Sequence, residues 1–239
     1  MAPPPGYVPY GASTHGAFAT FQRIGGLAKW LSALVIVLIP VQLWTMINSL
    51  SVRDEAKDFL AGRIGEDELD DKIRASAGIG ALSVVVLIAT AVLTIIWMHR
   101  IAKNLQVMNR VGTWKPGWAI GGWFVPPLVL YVVPFLMFRD LWKGSDPDIS
   151  RDWRSNRASP VITLWWILFG LAPLVFISAT VATFSIDSST RKQAEDLVDR
   201  FGVTIASSIA QIAAAACFLV IVRQLTARHR QLVNEAPTS

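Results

Sequence analysis

Five apolar blocks, each about 20 residues long, alternate with polar segments along the chain. Twenty helical residues rise about 30 Å, which matches the hydrocarbon thickness of a bilayer. The blocks cover residues 27–48, 79–98, 117–138, 160–184 and 203–222. Four of them read as ordinary spans. Ser159 and Pro160 suit the start of the fourth, as an N-cap and a first helical residue. In the first, Trp30 and Trp44 stand 14 residues apart, roughly 21 Å along a helix, so each can place an indole near one interface. Pro40 between them is tolerable in a membrane bundle. Between the first two spans, Val52, Ala56, Phe59 and Leu60 recur on one helical face, with Asp54, Glu55, Lys57 and Asp58 largely opposite. Ser51 and Asp54 have capping-box spacing. A second short helix, Asp67 to Ala75, would turn Leu69 and Ile73 inward, with Gly62 and Gly65 separating the two. Residues 50–77 therefore predict a solvated helical hairpin, or one bent helix, outside the bilayer core.

The third block is different. It carries Gly117, Gly121, Gly122, Pro126, Pro127 and Pro134. Two adjacent prolines remove two backbone donors and push the preceding residue out of helical geometry. Broken backbone at membrane depth survives only where protein or a water-filled cavity covers it. The block either re-enters or crosses as a kinked span. If it re-enters, 14 Lys and Arg fall on the side of the N-terminus and 8 on the other; if it crosses, the split becomes 9 to 13. Orientation follows the cation excess. The larger bias predicts re-entry, with both termini cytoplasmic in a multi-pass plasma-membrane protein. It also gathers Trp30, Trp97, Trp114, Trp118, Trp142, Trp153 and Trp165 near one interface, as an aromatic belt. The expected fold is an all-α membrane bundle of four full spans plus a proline-broken fifth element. Residues 1–26, rich in Pro and Gly, predict a flexible tail; 27–222 form the transmembrane domain and 223–239 a short polar tail.

Composition agrees with that reading. Apolar residues make up 53% of the 239 and charged residues 16%, against about 25% charged in an average soluble domain. This argues against a disordered chain, a disulfide scaffold or an ordinary cytosolic enzyme. The first apolar run begins too late and runs too long for a signal peptide, and no A-x-A site follows it. The single Cys217 rules out a disulfide within the chain and reads as a small buried hydrophobe. The net charge of +5 is scattered among apolar spans, which does not suggest a nucleic-acid partner. Arg53–Leu60 (RDEAKDFL) is similar to Arg191–Val198 (RKQAEDLV). Chance similarity of two solvated amphipathic helices accounts for that better than an internal repeat of the transporter kind does.

The chemistry-bearing residues cluster after the second span: Trp97-Met98-His99-Arg100-Ile101-Ala102-Lys103-Asn104, then Trp114-Lys115-Pro116-Gly117-Trp118 and Gly122-Trp123-Phe124-Val125-Pro126-Pro127. Trp97, Arg100 and Asn104 share one helical face. Arg100 can reach headgroup phosphates, an indole or a freed carbonyl, and Asn104 can bond two backbone groups. One reading makes Trp97, Arg100, Asn104, Trp118, Trp123, Pro126 and Pro127 a polar clamp holding the third block against the second span. The other makes them a site for an anionic headgroup or ligand. The pattern W-x-x-R-x-x-x-N, followed by P-G-W-A, W-F-V-P, Leu141-Trp142 and Leu164-Trp165-Trp166, resembles the actinobacterial membrane-protein family called domain of unknown function 4328. The resemblance spans about 50–225. It implies a multi-span membrane protein and brings no activity with it.

His15, His99 and His229 have no Cys, Asp or Glu at ligand spacing, so no metal or cofactor is expected. His99 and His229 lie past span ends, where a solvated or interfacial place is expected. No H-E-x-x-H, G-x-S-x-G or P-loop occurs, and no nucleophile–base pair is recognisable. The span cores hold no charged residue of the kind ion-coupled carriers keep. Their strongest polar residues, Gln42 and Gln211, read as packing contacts, with Ser207, Ser208 and the small run 213–216 beside Gln211. The expected function is non-catalytic: a membrane partner subunit or scaffold. A small transporter or lipid-binding protein built on 117–138 is the alternative. The bilayer, and possible further membrane subunits, are the expected partners.

Overall fold

The computed structural model of the chain describes residues 21–110, 112–124, 132–148, 152–173 and 189–235. Among these residues every regular element is helical. Three long helices dominate: α1 (Gly25–Leu60), α2 (Glu66–Val107) and α7 (Phe201–Val233). Between α2 and α7 lie α3 (Trp118–Gly121), α4 (Val132–Gly144), a 3-10 turn at Trp153–Ser155, α5 (Pro160–Trp166) continuing as a π turn over Ile167–Leu171, and α6 (Thr190–Asp199).

By length and composition, α1, α2 and α7 can each cross a membrane. At 36 and 42 residues, α1 and α2 are roughly 54 and 63 Å long, so both project well beyond an apolar slab. The expected separate hairpin is this projection. No Pro or Gly interrupts 49–60, so the first span runs on without a break. Ser51 lies mid-helix and caps nothing, which corrects the capping-box reading. Likewise the short helix expected over Asp67–Ala75 is continuous with the second span. The hinge falls where expected. Gly62 is left-handed (φ +71°), with Gly62 N–H bonded to Phe59 O and Arg63 N–H to Asp58 O, a Schellman closure that favours glycine. Asn109 (φ 53°) and Asn234 (φ 52°) close α2 and α7 in related left-handed turns.

Four full spans are not established: of the fourth apolar block, the helix Pro160–Leu171 is described and 174–184 lies outside the described residues. Both ends of the third block lie at one end of the bundle. Ahead of it, Thr113 N–H donates to Asp140 Oδ2 (3.1 Å), just past its other end. Gly122 packs so closely on Val133 that an added Cβ would stand 2.7 Å from Val133 Cγ1 and from the Trp118 carbonyl oxygen. Pro126 and Pro127 lie outside the described residues; Pro134 lies in the first described turn of α4.

The main core joins Leu31 and Val35 of α1, Trp97, Met98 and Ile101 of α2, Phe138 of α4, Ile162 and Trp165 of α5, and Phe218, Ile221 and Leu225 of α7. A second, smaller cluster caps the projecting end. There Ala56, Leu69 and Ala194 are fully buried, with Phe59, Leu60, Leu197 and Val198 packed around them. The apolar faces of the two similar octapeptides thus share one cluster.

Candidate functional site

Two features stand out: a cavity between the long helices, and a buried polar cluster where α1 begins and α7 ends.

The cavity has a volume of about 780 Å³. Leu38 and Gln42 of α1, Leu87 and Thr90 of α2, and Ser207 and Gln211 of α7 contribute to its walls, with Trp123 from the third block. The π turn brings Phe169 onto the same wall as Trp165, their rings stacked at 5.3 Å, with Trp165 and Phe218 5.6 Å apart. Gln42 Nε2 donates to Gln211 Oε1 at 2.6 Å across the α1–α7 gap, and Gln211 Nε2 donates to Ser207 Oγ at 3.2 Å. The two glutamines read as packing contacts are therefore joined to each other and also face open space. Of the charged residues among those described, only Arg200 is on the wall; it is ion-paired with Asp196 at 3.4 Å.

The polar cluster forms a latch. Asn104, almost fully buried, pairs with the backbone of Gln22: its Oδ1 accepts from Gln22 N–H (2.8 Å) and its Nδ2 donates to Gln22 O (2.9 Å). This pairing fixes the amide orientation. The second Nδ2 hydrogen points at His229 Nε2, 3.0 Å away. His229 Nε2 is thus the acceptor, and Nδ1–H donates to Ser145 Oγ at 3.0 Å. His229 and Ser145 are fully buried, and burial pushes the His229 pKa down to about 4. Ser, His and Asn in contact suggest a nucleophile, but the proton is on the wrong nitrogen: the ring donates to the serine and cannot take its proton. No solvent reaches either residue.

Around this centre, Arg100 Nη1 donates to Arg23 O (2.9 Å), and Glu235 accepts from the N–H groups of Ile24 (3.2 Å) and Gly25 (3.0 Å). That places a carboxylate at the N-terminus of α1, where the helix dipole favours it. Arg110 is buried and donates to Gly144 O (3.2 Å) and Asp146 O (2.7 Å). Arg228 pairs with Asp146 at 2.7 Å and lies over the Trp142 ring. At Asp140, burial raises the carboxyl pKa, and the Thr113 N–H opposes that shift.

Among the described residues, Arg100 and Asn104 bond to residues 22–23, which composition assigns to a tail; Pro126 and Pro127 of the third block, which the expected clamp would hold, lie outside the described residues. The cation that ties the two loops flanking that block is Arg110. Trp97 is no interfacial ring: it is fully buried and donates to Thr226 Oγ1 at 3.2 Å. Trp142, Trp153 and Trp165 are buried too, so most of the expected belt is core packing; Trp30 and Trp118 are exposed. Trp118 packs edge-on against Trp114. Trp123 lines the cavity, and its buried indole N–H has no partner. His99 lies where the third block begins, donating from Nδ1 to Pro116 O at 3.0 Å. His229 is central rather than solvated. A signal for it existed: Val222, Leu225, His229 and Leu232 continue the helical stripe beyond the apolar block. Among the described residues no group of three metal-ligating side chains occurs.

The family described as Domain of unknown function (DUF4328) matches residues 62–227. The chain belongs to that family. No curated protein and no solved structure matches it. The matched region holds most of the cavity wall, the Arg110 contacts and Asn104, while Gln22, His229 and Glu235 fall outside it.

Proposed function

We propose that this chain is a non-catalytic, multi-span plasma-membrane protein that binds a lipid-like molecule in the cavity between α1, α2 and α7. The observation that carries the reading is the cavity itself. Its volume of about 780 Å³ falls in the range of roughly 300–1,000 Å³ typical of ligand sites, and its apolar walls with a few convergent polar groups have the usual composition of one. It lies among helices whose exposed faces are rich in Leu, Val and Ile, such as Leu82, Val85 and Ile88 of α2, so its natural source of ligand is the bilayer. Trp123 ties this reading to the third block, the expected site of lipid or solute binding. A partner-subunit or scaffolding role rests on the lack of recognisable catalytic groups and needs no cavity.

In this reading the chain crosses four times, block three re-enters, and both termini are cytoplasmic. The latch end carries most of the Lys and Arg, and the contacts Thr113–Asp140 and Gly122–Val133 support re-entry.

Lipid extraction and mass spectrometry of the purified protein test the binding role. Wild type is expected to retain a lipid species that Ala91→Phe, which puts a ring into the cavity, does not. Equal lipid content in the two would favour the scaffold. For orientation, a cysteine placed at the C-terminus on a Cys217→Ser background is expected to resist labelling from outside the cell; labelling there would reject the re-entrant topology.

A further inference from the structure

The cavity's hydrogen-bonding capacity is one-sided. Five of its wall hydroxyls already spend their protons on their own helices. Thr45 donates to Val41 O (2.9 Å), Thr90 to Val86 O (2.7 Å), Thr94 to Thr90 O (2.7 Å), Thr204 to Arg200 O (3.2 Å) and Ser208 to Thr204 O (2.9 Å). Back-bonding of this kind to the fourth residue before is a habit of Ser and Thr in helices. Its consequence here is that three different helices present oxygen lone pairs. Donor hydrogens come from the Gln42–Gln211 pair, where each amide has already committed one, and from the Trp123 indole N–H. The wall carries no carboxylate among the described residues, so a cation would enter without a countercharge. Among the described residues an anion would find only Arg200, at the cap end and already paired with Asp196. Desolvating either ion without a dedicated partner is costly.

A neutral head with a hydrogen to donate and an oxygen to accept meets every one of these conditions. Building on the lipid-binding reading, we infer that the occupant is a lipid alcohol: a neutral hydroxyl head at the Gln42–Gln211 pair and an apolar body against Leu38, Trp165 and Phe169. Each hydrogen bond that the head gains and a capped head lacks is worth roughly two- to tenfold in affinity.

Trp123 and Trp165 on the wall provide the readout, because bromine quenches a neighbouring indole. The probes are 9,10-dibromooctadecan-1-ol, its methyl ether and 9,10-dibromooctadecanoic acid, titrated into the full-length protein in detergent. Quenching that Ala91→Phe abolishes is cavity binding; what remains is partition into the micelle. The alcohol is expected to half-quench the cavity component at roughly two- to tenfold lower concentration than the ether, and Gln42→Leu with Gln211→Leu should remove that advantage. Equal potency of alcohol and ether in wild type, still abolished by Ala91→Phe, would overturn the inference while leaving the lipid-binding reading intact. Tighter binding of the acid would overturn it in favour of Arg200 as the selecting group. Quenching insensitive to Ala91→Phe for all three probes would remove the binding role as well.

Discussion

The two ends of the bundle are held together by opposite means. At the cap, Ala56, Leu69 and Ala194 pack without polar contact, and the ion pairs around them are exposed, as with Arg191–Glu195, or half-buried, as with Lys72–Glu55 at 3.7 Å. At the latch, the buried side chains of Asn104, Ser145 and His229, from three separate segments, close on one another and on the backbone of the exposed Gln22. A solvated pair that breaks is replaced by water and loses little. A buried group that loses its partner bears the full desolvation cost. The latch should therefore dominate the response to substitution, and the cap should tolerate polar change but not a change of volume.

The largest effect is expected at Asn104. Asn104→Leu strands the Gln22 N–H and carbonyl and leaves His229 Nε2 bare, at a cost of roughly 3–5 kcal/mol. Thermal unfolding in detergent would read it, and a shift no greater than that of a cap ion pair would erase the contrast between the ends. Acid should act on the same place. The His229 pKa is about 4 when folded, below its ordinary value of about 6.5. The unfolded chain then binds the proton more readily, so this stability is complete above pH 6.5 and is lost as pH falls toward 4, by roughly 3 kcal/mol in all. Asp140, with its raised pKa, works in the opposite sense and loses its contribution as pH rises. The difference between wild type and His229→Gln therefore isolates the histidine: the variant's melting temperature should fall less between pH 7 and 4.5, and parallel curves would refute the buried neutral ring.

A smaller contrast sharpens the picture within the latch. Arg110→Ala removes two hydrogen bonds from Nη1, to the carbonyls of Gly144 and Asp146, at a buried site, at roughly 2–3 kcal/mol. Arg100→Ala removes one bond at an exposed site, at under about 1 kcal/mol. Equal melting temperatures would mean that burial does not set the scale here. Last comes the cap: Ala194→Leu should cost about 1–3 kcal/mol by overpacking, and Lys72→Ala less than about 0.5 kcal/mol. Reversal of that order would mean that charge, and not packing, holds the cap.

Much of the architecture was legible because it depends on local spacing. Val52, Ala56, Phe59 and Leu60 fall on one face in any helix, and that face meets the α6 stripe Ala194, Leu197 and Val198. Gly62 stops α1 because the closing turn needs a left-handed residue. The family pattern around Trp97, Pro116 and Trp165 identified the family. The site was less legible. Trp97 and Trp30 are alike in sequence, each near the end of an apolar run, yet one is buried and the other exposed. What separates them is whether another helix packs there. Arg110 carried no signal at all, since its partners are backbone carbonyls 34 and 36 residues away.

By itself, the sequence determined the helical class, the apolar segments that the long helices carry, the hinge at Gly62 and the break in regularity between 117 and 138. All of these follow from interactions within a turn or two of helix, or from the solvent that an apolar run requires. Only the tertiary structure decided which polar residues are buried, that Asn104 faces Gln22 and His229, and that Gln42 and Gln211 meet beside a cavity. Those contacts join residues 82 to 169 positions apart. No period in the chain encodes which distant carbonyl or ring will lie opposite; that is set when the apolar faces pack and leave each polar group one place to find a partner.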